Sequence, residues 1–448
     1  MNCLSIWDLL ITPFYIVLIF VISSYIEKKN IEKQSAYKYY RWGIAVKIIG
    51  AVAICLIYTL YYPSGDSTGY YEQGRAIHNL FYKNTNYFFE VLFKGSTAEN
   101  YSYFDDSTDY VAYNTWVNDY SSMYFSRICA LICFVSFNSF VTCTVLLAWG
   151  CYIGIWKLYL LFCEQFPGIK KQLAISILFI PSVVFWGSGL LKDTITLSAI
   201  GWYSYNFYLL LVKKEYKIKN IIAVLLSAYL LIVLKPYILV ALLPGSLIWL
   251  SYDKIAKITN RVIKFLVAPI LIFGGVLGGF YALTSLGDVL GDYSINNVLD
   301  RAVVVQKDLK SDYYGGNSFD IGDFDASVSG VLSKSPQAIN AALFRPYLWE
   351  VRNPLMLLSS LESTYIFFLT LGLMFRLKVM GFFELIWKNP LLLFSVLFAL
   401  FFAFSVGLST PNFGALSRLK IPCIPFFVSS LFVLRHLYEV KTKKKFRF

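Results

Sequence analysis

Histidine is almost missing from this chain. His78 and His436 are the only two in 448 residues, which excludes a histidine-rich metal centre. Cysteine occurs eight times, but no CxxC pair is present, so the usual zinc and thioredoxin-like spacings are absent. Cys129 and Cys133 stand one helical turn apart inside apolar sequence and read as small packing residues. Charge is scarce too. Asp, Glu, Lys and Arg together make up 15% of the chain, against roughly a quarter in a soluble domain. No internal repeat is evident, which weakens a transporter built from two related halves. The N-terminus has neither a basic n-region nor an A-x-A site, so the first apolar run is expected to be retained.

What is abundant is apolar sequence. Hydrophobic residues reach 57% and aromatics 18%. Apolar runs of about 15 to 25 residues recur, which predicts an all-α, polytopic transmembrane protein. The runs are 9–26, 43–62, 139–162, 172–190, 194–212, 220–234, 237–250, 265–285, 356–376, 390–407 and 421–437. They give about eleven spans, within a range of about 10 to 12, in one integral membrane domain over 1–448. Residues 122–137 are ambiguous between a further span, a re-entrant piece and an interfacial helix.

The formal charge of +13 raises nucleic acid as a partner, but the position of the charges speaks against it. They cluster between apolar runs: EKKNIEKQSAYKYYR (27–41), Lys170-Lys171, KKEYKIK (213–219), DKIAKITNRVIK (253–264), RLK (376–378) and the basic tail 438–448. With about eleven spans, and 122–137 left out, all of these fall on one face, which the positive-inside rule makes cytoplasmic. Lys47 and Lys157 sit near the cytoplasmic ends of spans, where snorkelling explains them. The opposite face receives two long loops, about 63–138 and 286–355. Both are rich in Tyr, Phe, Trp, Asn and Asp, which argues against disorder. Such surfaces suit sugars or lipid head groups; an interfacial aromatic belt is the simpler use.

The unusual polar residues sort onto that outer face. The second span ends in YYPSGDSTGYYEQGRAIH, where Pro63 stops the helix and Gly65 permits a turn. Asp66 then lies at the membrane–water boundary, either as a cap or as a catalytic carboxylate. A helix over 69–78 would place Glu72 and Arg75 on one face, with His78 a turn further. The stretch Ile180-PSVVFWGSGLLKDTITL-Ser198 puts Lys192 and Asp193 at the tip of a glycine-broken hairpin. Asp193 with Thr194 can cap the following helix. Lys192 is a cation where the helix dipole disfavours one unless an anion binds, so it meets either a lipid phosphate or a substrate phosphate. Lys235, in LLIVLKPYILV, marks a second tight hairpin or a kink in one long helix. Further along come Arg345, Glu350 and Arg352 beside Trp349, and Glu362 inside a span. An intramembrane carboxylate is a functional candidate, with ion pairing as the alternative. Asn412, Arg418 and Lys420 lie at the outer start of the last span.

These segments, GDSTGYY, PSVVFWGSGLLKD, LKPY, FRPYLWE and NFGALSRLKIPCIP, follow one another in an order that resembles bacterial exopolysaccharide and O-antigen polymerases of the Wzy/EpsG type. The chain also resembles multi-span glycosyltransferases of the GT-C class. The resemblance implies an enzyme that uses undecaprenyl-pyrophosphate-linked sugars at the outer side of the bacterial inner membrane, in surface polysaccharide assembly. It makes Asp66 the counterpart of the early acidic residue, and Arg75, Arg345 and Arg418 counterparts of external arginines. The paired Asp-x-Asp of GT-C enzymes is absent, and an additional span precedes the loop.

The expected site therefore has Asp66 and Glu362 as catalytic groups. Arg75, Lys192, Lys235, Arg345, Arg352 and Arg418 would bind the pyrophosphate of a lipid-linked saccharide. No cofactor or metal is expected. Asp320, Asp323 and Asp325 form a D-x-x-D-x-D run that reads as a solvated acidic loop rather than a calcium site. The alternatives are a flippase for lipid-linked saccharide, and a non-catalytic subunit with partners in an envelope assembly complex.

Overall fold

The computed structural model describes residues 3–62, 65–260, 266–267, 269–275, 277–278, 281, 318–322 and 327–443. Among the described residues the chain is all-helical, with one isolated bridge between Ser318 and Asn412. Seven helices are long and apolar enough to cross a membrane: Ile6–Ile31, Ser35–Tyr61, Phe140–Gln165, Lys192–Val212, Pro236–Ala256, Pro354–Trp387 and Pro390–Ser409. The pair Phe413–Leu419 and Ile424–Thr442, bent by 68°, makes an eighth if taken as one broken span.

The expected number of about eleven spans is thus corrected to seven or eight among the described residues, for physical reasons. The apolar run 172–190 is two helices, Lys170–Leu178 and Pro181–Trp186. Pro181 lacks an N–H and pushes Ile180 out of helical geometry, so the run cannot continue as one rod. Ile218–Leu234 has 17 residues. At 1.5 Å per residue it reaches about 25 Å, short of the ~30 Å hydrocarbon layer. Tyr120–Ser136 also has 17 residues and is not among the crossings. The run 265–285 is described only in part, at 266–267, 269–275, 277–278 and 281, and is not among the crossings. Seven or eight crossings do not reproduce the alternation drawn for about eleven, so which face carries the basic connections is part of the proposal below.

The chain forms two compact units. The first comprises Met1–Leu160, Val184–Tyr205 and Ala223–Lys235. Its helices are α1 (Ile6–Ile31), α2 (Tyr40–Leu56), α3 (Asp66–Lys83), α4 (Thr85–Lys94), α5 (Tyr113–Asn118), α6 (Tyr120–Ser136) and most of α7 (Phe140–Gln165). Asp8 ties two helix starts together. It completes the capping box of α1 by accepting from Ser5 N, and it also accepts from Val141 N at the head of α7. The expected external loop 63–138 is mostly helix. Within it α3 packs on α4 and α6, around an apolar core of Ile77, Leu80, Phe88, Trp116 and Met123. The Trp116 indole N–H is satisfied by Thr97 O and Asn100 Oδ1, at 2.9 and 3.0 Å.

The second unit comprises Leu161–Val183, Asn206–Ile222 and Pro236–Phe448. It holds α8 (Lys170–Leu178), and it shares α9 (Pro181–Trp186), α10 (Lys192–Phe207) and α11 (Ile218–Leu234) with the first. Then come α12 (Pro236–Ala256), α13 (Val328–Ser333), α14 (Ser335–Phe344), α15 (Pro354–Trp387), α16 (Pro390–Ser409), α17 (Phe413–Leu419) and α18 (Ile424–Thr442). α16 packs on α12, α14 and α18, and α18 also meets α8 and α15. α15 overruns the expected 356–376 and changes direction at Lys378, whose φ of 57° lies in the left-handed region. Of the expected loop 286–355, the described part is 318–322 and the helical stretch from 327 onward.

Candidate functional site

Lys192 is the first residue of α10 and is half-buried. Its ammonium donates to Ser121 Oγ at 2.9 Å and Ser122 Oγ at 3.1 Å, and lies 5.6 Å from the centre of the Tyr70 ring. Both serines in turn donate to Asp119, the N-cap of α6, at 3.1 and 2.5 Å. Burial pushes the Asp119 carboxyl up, but the Lys192 ammonium and the serine hydrogen bonds outweigh that and hold it below the usual carboxylate range. One cation, one carboxylate, two hydroxyls and a phenol therefore converge at a helix N-terminus. Asp66 is exposed at the start of α3, one turn before Tyr70 on the same helix. Pro63 lies outside the described residues, so its helix-stopping role does too.

The surroundings of Lys192 correct three expectations. Gly187–Leu191 is buried rather than an exposed hairpin tip. Asp193, fully buried, is the ion-pair partner of Lys235. Thr194 does hold the turn, donating to Gly189 O at 2.6 Å. Lys235 sits at the break between α11 and α12, where it is directed to Asp193 and is 6% exposed. Lys47 does not snorkel. It is buried and donates to the Gly187 carbonyl, fastening the glycine turn to α2.

α3 spans the predicted 69–78, yet its polar residues do not work as one face. Arg75 pairs with Asp109 at 3.2 Å and stacks near Tyr71. Glu72 accepts from the Cys3 thiol. His78 is 3% exposed, against Phe134 and Tyr82, and burial pulls it below the ordinary histidine range.

The second unit gathers another set. Arg345 clamps Glu350 through Nε and Nη2, with the Phe319, Phe413 and Tyr347 rings 4.4, 5.3 and 5.8 Å from its guanidinium carbon. Lys420 donates to Arg345 O and Ser363 Oγ, both at 2.9 Å. Glu362, on α15, accepts from Ser182 N at 2.9 Å and Ser182 Oγ at 2.6 Å, closing the start of α9. Asn412 caps α17, accepting from Gly414 N and Ala415 N. Arg352 is exposed and Arg418 half-buried, and both are engaged. Asp320 accepts from Gly322 N in a local turn, while Asp323 and Asp325 lie outside the described residues.

Asp119, Ser121, Ser122 and Tyr70 were not singled out by sequence reasoning. The available signal was the Asp-x-Ser-Ser order ahead of an apolar helix, an N-cap pattern. Nothing local ties it to a lysine about 70 positions later. Compared with protein-family models, curated proteins and solved structures, this chain matches none of them.

Proposed function

We propose that this protein is a membrane glycosyl-transferring enzyme that uses polyprenyl-pyrophosphate-linked sugars at the outer face of the bacterial inner membrane. The observation that supports this reading is the convergence on Lys192. An ammonium at the N-terminus of a membrane-crossing helix is paired with serine hydroxyls and backed by a nearby carboxylate. The phosphoryl oxygens of a lipid-linked donor would meet Lys192 and the α10 N-terminus. The bond from the anomeric carbon to the pyrophosphate oxygen breaks, and Lys192 stabilises the departing negative charge. The acceptor hydroxyl forms the new bond and gives its proton to a carboxylate, Asp66 or Asp119.

The test uses the full-length protein in proteoliposomes with a lipid-linked oligosaccharide donor. Lys192→Ala should weaken use of the donor at least about tenfold, and Asp66→Asn or Asp119→Asn should abolish product while the protein still folds. Unchanged donor kinetics in Lys192→Ala, or full product with both carboxylates replaced, sinks the assignment.

One observation favours the flippase reading instead. Glu362 lies within a crossing helix, and Lys420 lies at the 68° bend between α17 and α18. Broken helices with charged groups are where transporters hold substrate. A flippase would move the intact lipid-linked saccharide between leaflets without forming a glycosidic bond, which the same proteoliposomes distinguish.

A further inference from the structure

Arg127 lies on α6 and is 7% exposed. Its Nε and Nη2 are buried and make no hydrogen bond, and it forms no ion pair among the described residues. The other buried cations among the described residues are provided for: Lys47 has the Gly187 carbonyl, Lys235 has Asp193, and Lys420 has Arg345 O and Ser363. An unpartnered buried charge is among the costliest arrangements in a fold. Arginine cannot shed that cost by losing its proton, as a lysine can.

The surroundings leave the polar edge of this guanidinium without a protein acceptor. Nε and Nη2 form one edge of the guanidinium, the edge with which Arg345 clamps Glu350. Gly95 ends α4 with φ 96°, and a Cβ there would stand 3.1 Å from Arg127 Nη2. Glycine thus serves both the left-handed backbone and the space beside the guanidinium. The Gly95 carbonyl does not turn to Arg127; it accepts from Asn100 Nδ2 at 2.8 Å. Asn100 is in turn fixed by Thr97 N and by Trp116.

Tyr120, Tyr124 and Arg127 follow one another along a single stripe of α6, at i, i+4 and i+7. Tyr229 of α11 packs against Tyr124, their ring centroids 6.1 Å apart. All three tyrosines lie near the Arg127 guanidinium. Tyr120 and Tyr229 are 42% and 47% exposed, so the stripe runs from an accessible edge to the buried charge.

We propose that Arg127 is the anchor of a phosphate-type oxyanion site, with two oxygens on its Nε–Nη2 edge. Tyrosine hydroxyls serve the remaining oxygens. A carboxylate would spend both its oxygens on the arginine, whereas a phosphate keeps acceptors for the phenols. The oxyanion belongs either to a free phosphate or to a phospholipid head group. This site does not depend on the glycosyl-transfer reading.

The experiment uses the full-length protein, delipidated in a neutral detergent and free of phosphate and sulfate. Thermal unfolding is followed with increasing inorganic phosphate. In parallel it is followed in phosphatidylcholine nanodiscs with and without phosphatidylglycerol. Wild type should gain several degrees in one of the two arms. A response to phosphate alone assigns a free ion, and a response confined to phosphatidylglycerol assigns a lipid head group. Arg127→Met should lose the response. If that variant does not fold, Arg127→Lys keeps the charge without the two-donor edge and should bind at least about tenfold more weakly. A wild type that responds in neither arm, or variants that respond as wild type does, overturns the site.

Discussion

At the scale of single residues, Asp193 and Lys235 form the most buried ion pair described, their side chains 0% and 8% exposed. Two charges removed from water are tolerable only together. Asp193→Asn or Lys235→Met alone should therefore cost about 3–5 kcal/mol, read as a fall in thermal unfolding midpoint in detergent. Asp193→Leu combined with Lys235→Met should recover most of that loss. A double variant as unstable as the two single losses added together would show that the pair is not the stabilising contact. Sequence alone exposed half of this arrangement. Lys192 and Lys235 stood out as cations at abrupt junctions, because helix dipoles and membrane depth make such positions costly. Their partners were hidden, since Ser121, Ser122 and Asp193 meet them only through tertiary packing. Arg127 was hidden for the opposite reason: an arginine inside an ambiguous apolar run has no local mark of burial.

At the scale of elements, α7 and α10 cross with their backbones nearly touching. A Cβ on Gly154 would stand 2.1 Å from Ser198 O, and one on Gly201 would stand 2.0 Å from Gly154 O. Small residues at such a crossing are what permit close van der Waals packing where lipid offers no hydrophobic drive. Gly154→Leu and Gly201→Leu should each collapse the yield of monodisperse protein in detergent chromatography. Gly150→Leu, where a Cβ meets nothing within 4 Å, should leave it close to wild type. Equal losses at all three positions would refute the crossing as the cause. Long, uninterrupted spans such as α1 and α16 were legible from hydropathy. The run 172–190 was misread because its mean hydropathy conceals Pro181. The helix that Pro181 begins is then secured by Glu362, about 180 residues away, a distance no periodicity records.

At the scale of the whole molecule, the proposal predicts a sidedness. The proposed outer face carries the α3–α6 module, and the proposed cytoplasmic face carries 27–39. Single cysteines introduced at Asn86 and Tyr113, in a chain cleared of reactive thiols, should react with a membrane-impermeant maleimide on intact cells. A cysteine at Lys29 should react only after permeabilisation. The reverse pattern inverts the topology and removes Lys192 from the side where the donor is expected. All-helical membrane character was readable because apolar composition decides it. Division into two units was not, since it depends on which helices pack together.

The first unit is assembled from three separated stretches of chain, and this sets an order in time. Asp193 is synthesised before Lys235 by 42 residues. At translation rates of about 5–20 residues per second, that interval is about 2 to 8 s. During it the carboxylate has been made and its counter-ion does not yet exist. The segment 223–235 therefore acts as a latch. Insertion of the first unit becomes complete only when the ribosome has passed Lys235, and chains arrested before that point should stay with the insertion machinery.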